Sequence, residues 1–143
     1  PGLGTRSSRS GIVIGIDSNV LIRWLVTLPG ETVQTGPARR SIEASRDGVF
    51  VCLPVLAEAV WVLTRLYKFD RAGIAQVVGS LLQNPEVVVQ HRSAVAQALD
   101  GFLAGGPGFA DHLIGALNRD AGCSTTLTFD KRAARLDTFT EIT

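Results

Sequence analysis

Four carboxylates stand apart from the other charges of this chain: Asp17, Glu58, Asp111 and Asp130. Asp17 is the only charge between Gly11 and Ile22, at the point where the apolar run IVIGI ends. An open α/β sheet places its site where a buried strand gives way to a helix. A carboxylate there also serves as a helix cap, and this stretch alone leaves both readings open. Glu58 is the only charge from Val49 through Thr64. An unpaired carboxylate among apolar neighbours costs several kcal/mol to bury, so it requires a partner. Arg65, two turns on, is a long reach for a direct pair, and the isolation of Asp17 tips the reading toward a metal ion. Asp111 falls in the first turn of FADHLIGALNRDAG, where the helix dipole favours an anion. Gly115 and Asn118 follow on its face, and a residue without a side chain there leaves room for a ligand. Asp130 follows the strand-like STTLT.

Carboxylates gathered at one place repel and raise one another's pKa values unless a cation neutralises them. An all-oxygen donor set selects Mg²⁺ or Mn²⁺, which complete their shells with water and substrate phosphate. One or two such ions would activate water and stabilise the leaving oxygen of an in-line phosphodiester displacement. The sequence holds no Walker-type phosphate loop and no Ser-His-Asp candidate. His91 and His112 lack further ligands at zinc spacing, and both read as surface residues.

The elements that must position these acids alternate. A strand over IVIGI precedes a helix over Val20–Val26, with Ser18 and Asn19 as capping residue types. A loop over Pro29–Thr35 leads to a polar helix over Gly36–Arg46 that turns Ala38, Ile42 and Ser45 inward. Strand Val49–Leu53 follows the turn Asp47-Gly48, and Pro54 opens a strongly apolar helix ending near Lys68. Asp70 caps a helix over Arg71–Gln83, which Asn84-Pro85 ends. Strand Val87–Val89, helix Ser93–Ala104 and the breaker Gly105-Gly106-Pro107-Gly108 lead into the helix of Asp111. Its inner face reads as Ala110, Leu113, Ile114, Leu117 and Ala121, and Gly122 ends it. Strand Ser124–Thr128, a short AARL helix and an edge strand over Phe139–Ile142 complete the chain. Strands alternating with helices predict a parallel sheet covered on both faces, with right-handed crossovers. If the first and fourth strands are neighbours, all four acids converge at one end of that sheet.

Hydrophobic content of 45% with 19% charged residues is that of a globular domain. The net charge of +1 carries no strong electrostatic signature. Twelve Arg against two Lys suit phosphate recognition, although a GC-rich genome produces the same skew. Cys52 and Cys123 read as small buried hydrophobes. No segment reaches the length of a membrane span, so the expected setting is cytoplasmic. Residues 1–11, rich in Gly and Ser, read as a tag remnant or disordered leader, and 12–143 as a single domain.

Four segments carry a family resemblance: IGIDSNVLIRWL, VLAEAVWVL followed by Tyr67, FADHLIGALNRDAGC and TLTFDKRAA. In this order and spacing the chain resembles a PIN domain and, within that group, a VapC-type toxin ribonuclease. The resemblance implies a three-layer α/β/α fold around a parallel sheet of about five strands. It implies a Mg²⁺- or Mn²⁺-dependent endoribonuclease whose metal-binding and catalytic acids are Asp17, Glu58, Asp111 and Asp130. Asn19, Ser18 and Thr128 match the polar residues that support them, with Ser18 standing where Thr is commoner. Gly108 stands where many relatives carry a further acid. Arg23, Arg65, Lys131 and Arg132 lie nearest the acids in sequence and are the candidates for RNA contact. A cognate VapB-like antitoxin and homodimerisation are implied as well. Trp24, Trp61 and Tyr67 read as largely core, with some of them able to line a groove for a partner helix. A housekeeping PIN nuclease and a catalytically inert PIN-like module that binds RNA or protein are the alternatives.

Overall fold

The computed structural model describes residues 13–25, 32–44 and 48–143. The expected leader over 1–11 lies outside them, as do Ile12, Val26 and the Asp of the Asp47-Gly48 turn. The chain divides into two compact units, Pro1–Tyr67 with Gln83–Gln90, and Lys68–Leu82 with His91–Thr143.

The first unit contains β1 (Ile14–Gly15), α1 (Ser18–Leu25), α2 (Thr32–Glu43), β2 (Val49–Val51), α3 (Leu53–Arg65) and β3 (Val87–Val89). β2 lies between β1 and β3 in a parallel ladder, with Ile14 opposite Val49 and Val49 opposite Val87. Gly48 sets this register. Its φ of +104° suits glycine, and a Cβ there would run into the Glu86 carbonyl. That carbonyl accepts from the Val49 amide at 2.8 Å, and the Gly48 carbonyl accepts from Ile14 at 3.2 Å. Helix α1 packs on α2 and α3, burying Leu21 and Ile22, while α3 buries Leu56, Ala59, Val60 and Leu63. Cys52 offers α3 no side-chain cap. Instead, Gln90 Oε1 accepts from the first helical amide, Leu53, at 2.8 Å.

The second unit holds α4 (Arg71–Gln83) up to Leu82, α5 (Arg92–Leu103), α6 (Phe109–Asp120), β4 (Thr126–Thr128), a 3-10 turn (Ala133–Arg135) and β5 (Phe139–Glu141). Asp70 Oδ1 accepts from the Gly73 amide at 2.8 Å, the cap expected for α4. Helices α5 and α6 pack together, with Phe102 and Phe109 edge to face at 5.8 Å. β4 and β5 form a second parallel ladder, with Leu127 opposite Thr140.

The chain is therefore an α/β protein in which every described strand pairing is parallel. Several expectations need correction. The described strands form parallel ladders of three and two, not a single sheet of about five. Helix α2 begins at Thr32, inside the expected loop, and contains Pro37. Its packing on α1 outweighs the single hydrogen bond that Pro37 removes. Ile42 is buried as expected, while the side chain of Ala38 and all of Ser45 lie outside the described residues. Trp61 is 56% exposed, Tyr67 is exposed and Trp24 is half-buried, so these rings are less enclosed than their size implies. Cys123 is exposed and Cys52 only half-buried. Among the described residues, no helix is long and apolar enough to cross a membrane.

Helix α6 is turned from its expected orientation. It buries Phe109, His112, Leu113, Gly115 and Ala116, whereas Ala110, Ile114 and Ala121 are exposed. His112 is thus a core residue, with Nε2 3.0 Å from the Gly105 carbonyl. Its burial pushes the imidazole pKa down. Gly115 makes a close helix-strand approach: a Cβ there would crowd Thr138 Oγ1 and come within 2.9 Å of the Phe139 ring. Gly115→Ala gains about 1 kcal/mol of helix propensity and, with both Thr138 and Phe139 in the way, incurs overpacking at the upper end of the usual range, about 2–3 kcal/mol. The variant is expected to melt roughly 2–6 °C lower, measured by thermal denaturation. An unchanged or higher Tm would restore the view of Gly115 as space kept for a ligand.

Candidate functional site

Asp17 lies between β1 and α1, and its exposed carboxylate caps the helix: the Val20 amide donates to Oδ1 at 3.0 Å. Capping and site chemistry need not exclude each other, because this bond engages one carboxylate oxygen and leaves Oδ2 outside it. Ser18 and Asn19 are first-turn residues of α1, not its cap. Ser18 Oγ donates to Glu58 Oε1 at 2.8 Å and so ties the start of α1 to α3. Asn19 Oδ1 accepts from Arg23 Nη1 at 2.9 Å, one turn along the helix.

Glu58 is exposed, which corrects the inference from its apolar context. Helix α3 carries apolar residues even on its outer side, Ala57 and Trp61 among them. A lone charge in that sequence therefore marks the solvent face. The hydrogen-bonding partner of Glu58 is Ser18, not Arg65, and Arg65 is exposed in the last turn of α3.

In the second unit, Asp130 organises the turn after β4. Its Oδ1 accepts from the amides of Arg132 at 2.7 Å and Ala133 at 3.3 Å. Its own amide donates to Thr128 Oγ1 at 3.0 Å. Asp111 is half-buried in the first turn of α6, behind Gly108 at the N-cap. Its carboxyl pKa is raised, first by burial and then by the negative charge of Asp130; His112 and Arg132 act in the opposite direction. Asn118 Nδ2 donates to Thr126 Oγ1 at 2.9 Å, joining α6 to β4.

The acids thus fall into two pairs, Asp17 with Glu58 in the first unit and Asp111 with Asp130 in the second. Among the described residues, no three His, Cys, Asp or Glu side chains gather as a ready metal-ligand set. The expected RNA contacts differ in what they touch. Arg23 bonds Asn19, Arg132 Nη2 donates to the Gly106 carbonyl at 2.6 Å, and Lys131 Nζ lies 3.8 Å from Glu141. Arg71, Gln90 and His112 were not legible as structural determinants. Only His112 carries a signal, falling on the 109-112-113-116 helical repeat with Phe109 and Leu113.

A family model for the PIN domain matches residues 14–138, across both units. The chain belongs to the PIN domain family. Among solved structures it is similar to the Mycobacterium tuberculosis toxin VapC20, which cleaves the sarcin-ricin loop. The match has 18% identity over 87% of this chain and 97% of that one, with a TM-score of 0.37. No curated protein matches the chain.

The raised carboxyl pKa of Asp111 means that ionising it works against the fold, so stability falls as pH rises from the ordinary carboxyl range through the raised value. Asp111→Asn removes that opposition. In EDTA, its Tm is expected to match wild type near pH 3 and to exceed it by about 1 °C at pH 7. Thermal melts across this range check it. A Tm difference that stays flat with pH would mean that Asp111 feels neither its burial nor Asp130.

Proposed function

We propose that this chain is a metal-dependent endoribonuclease that hydrolyses RNA phosphodiester bonds, acting as a toxin held in check by a cognate antitoxin. The observation that carries the reading is PIN family membership over residues 14–138, the span that contains all four isolated acids. Asp17, Glu58, Asp111 and Asp130 are the proposed metal-binding and catalytic residues. Their donor set consists only of carboxylate oxygens, and at Asp111, where burial first and then the charge of Asp130 disfavour ionisation, a divalent cation would offset both. Those properties fit Mg²⁺ or Mn²⁺. When bound, one or two such ions supply a water activated for attack and neutralise charge on the phosphate.

The chain's own groups orient these acids. The Val20 amide fixes one oxygen of Asp17, Ser18 fixes one oxygen of Glu58, and the Arg132 and Ala133 amides fix one oxygen of Asp130. In each case the second oxygen lies outside these bonds and is available to the site. Gly108 adds no carboxylate at the start of α6. Arg65 and Lys131, both exposed, are the better placed of the four basic residues to meet an RNA backbone. Arg23 and Arg132 already donate within the protein. The proposed setting is the cytoplasm and the proposed assembly a homodimer.

The test is cleavage of RNA by purified protein in Mg²⁺ or Mn²⁺, in EDTA, and by Asp17→Asn prepared identically. Cleavage should require metal and fall by about 10²–10³-fold in the variant, the scale of losing one group that stabilises developing charge. Equal cleavage by Asp17→Asn would remove Asp17 from the site. Metal binding without cleavage would point to a narrow substrate. An absence of both would favour a PIN-like module that only binds RNA or protein.

A further inference from the structure

The connection between α5 and α6 folds with unusual dependence on side-chain donors. Gly105 and Gly106 take φ values of +112° and +84°, turning the chain so that several carbonyls near the end of α5 face side chains. Arg71, in the first turn of α4, meets three of them. Its Nη2 donates to the Phe102 carbonyl at 2.8 Å, and Nη1 donates to Pro107 at 3.0 Å and Gly106 at 3.2 Å. The guanidinium carbon sits 4.0 Å from the centroid of the Phe102 ring. That ring is buried and packs edge to face on Phe109, the first residue of α6. The Gly106 carbonyl also accepts from Arg132, whose amide is held by Asp130.

We propose that Arg71 is a positioning residue for the carboxylates of Asp111 and Asp130, acting through the Gly105–Gly108 connection; this rests on reading those two acids as functional. One arm of its fork fixes Pro107, the residue before the N-cap of α6, whose first turn carries Asp111. The same arm shares Gly106 with Arg132 and so reaches the turn built on Asp130. Charge-assisted bonds from a planar fork fix direction as well as distance. A lysine keeps the charge but not the fork or the stacking on Phe102.

The experiment uses the full chain as wild type, Arg71→Ala, Arg71→Lys, Asp111→Asn and the Arg71→Ala/Asp111→Asn double variant. Mn²⁺ affinity is read by calorimetry, amide hydrogen exchange by mass spectrometry, and folding by circular dichroism. Arg71→Ala is expected to weaken Mn²⁺ binding about tenfold, the usual scale for losing a group that orients a ligand. Arg71→Lys should not restore it, and in the Asp111→Asn background Arg71→Ala should cause a smaller further loss, transmitted through Asp130 alone. Exchange at the α6 amides that bond back to its first turn, from His112 to Gly115, should quicken about tenfold in both Arg71 variants, while the amides of β4 and β5 hold their rates. Wild-type exchange at α6, or an even rise across the whole unit with Mn²⁺ affinity unchanged, would overturn the proposal. Wild-type protein that neither binds Mn²⁺ nor cleaves RNA would defeat the nuclease reading instead, and the exchange pattern would then decide the role of Arg71 alone.

Discussion

Amide groups left without a backbone carbonyl at the start of a helix or turn hold two carboxylates of this chain, Asp17 and Asp130, in place. The first residues of a helix have no carbonyl behind them to accept their N–H groups, and a side-chain oxygen is the nearest substitute. Asp17 fills that need for α1 through Val20, and Asp130 fills it for the 3-10 turn through Arg132 and Ala133. The requirement that makes these acids caps also aims them. One oxygen is turned to the backbone, and the other is directed by the geometry of the carboxylate. The strands upstream matter because they decide where each helix begins: Gly48 fixes the ladder whose first strand ends two residues before Asp17, and Thr128 closes β4 directly onto Asp130.

Glu58 and Asp111 are held differently, and the difference is electrostatic. Glu58 is exposed and takes a neutral donor, Ser18, so its charge remains in contact with solvent. Asp111 is half-buried beside a second acid, with Arg132 and His112 only partly offsetting the effect. The charged form of Asp111 is therefore disfavoured at the start of α6, and Arg71 and Arg132 donate to carbonyls of the neighbouring connection rather than to that acid.

Much of this was legible in the sequence where punctuation was strong. Asp70 and Asn84-Pro85 bracket α4, and Val87–Val89 lies between polar residues, so both elements fall where the pattern placed them. Patterning failed where two faces of a helix were equally apolar. In α6, the stripe through Ala110, Ile114 and Leu117 is as hydrophobic as the true one, which runs through His112 and Gly115. What settles the choice is non-local: Phe109 packs on Phe102, and Thr138 and Phe139 leave no room for a side chain at 115. The same ambiguity misplaced Glu58, whose neighbours on α3 are apolar on the solvent side too. The acids themselves were identifiable because each is isolated. Their supports were harder to find, since an arginine that grips carbonyls carries no local signature.

The placement of the large aromatic rings has a spectroscopic corollary. Both tryptophans of the chain, Trp24 and Trp61, and its single tyrosine, Tyr67, belong to the first unit. Intrinsic emission therefore reports on the half of the molecule that carries Asp17 and Glu58. The half that carries Asp111 and Asp130 contributes only phenylalanine, whose emission is weak. An unfolding step confined to the second unit would escape a curve followed by that light alone. A probe of backbone amides, which samples every helix, is the natural complement.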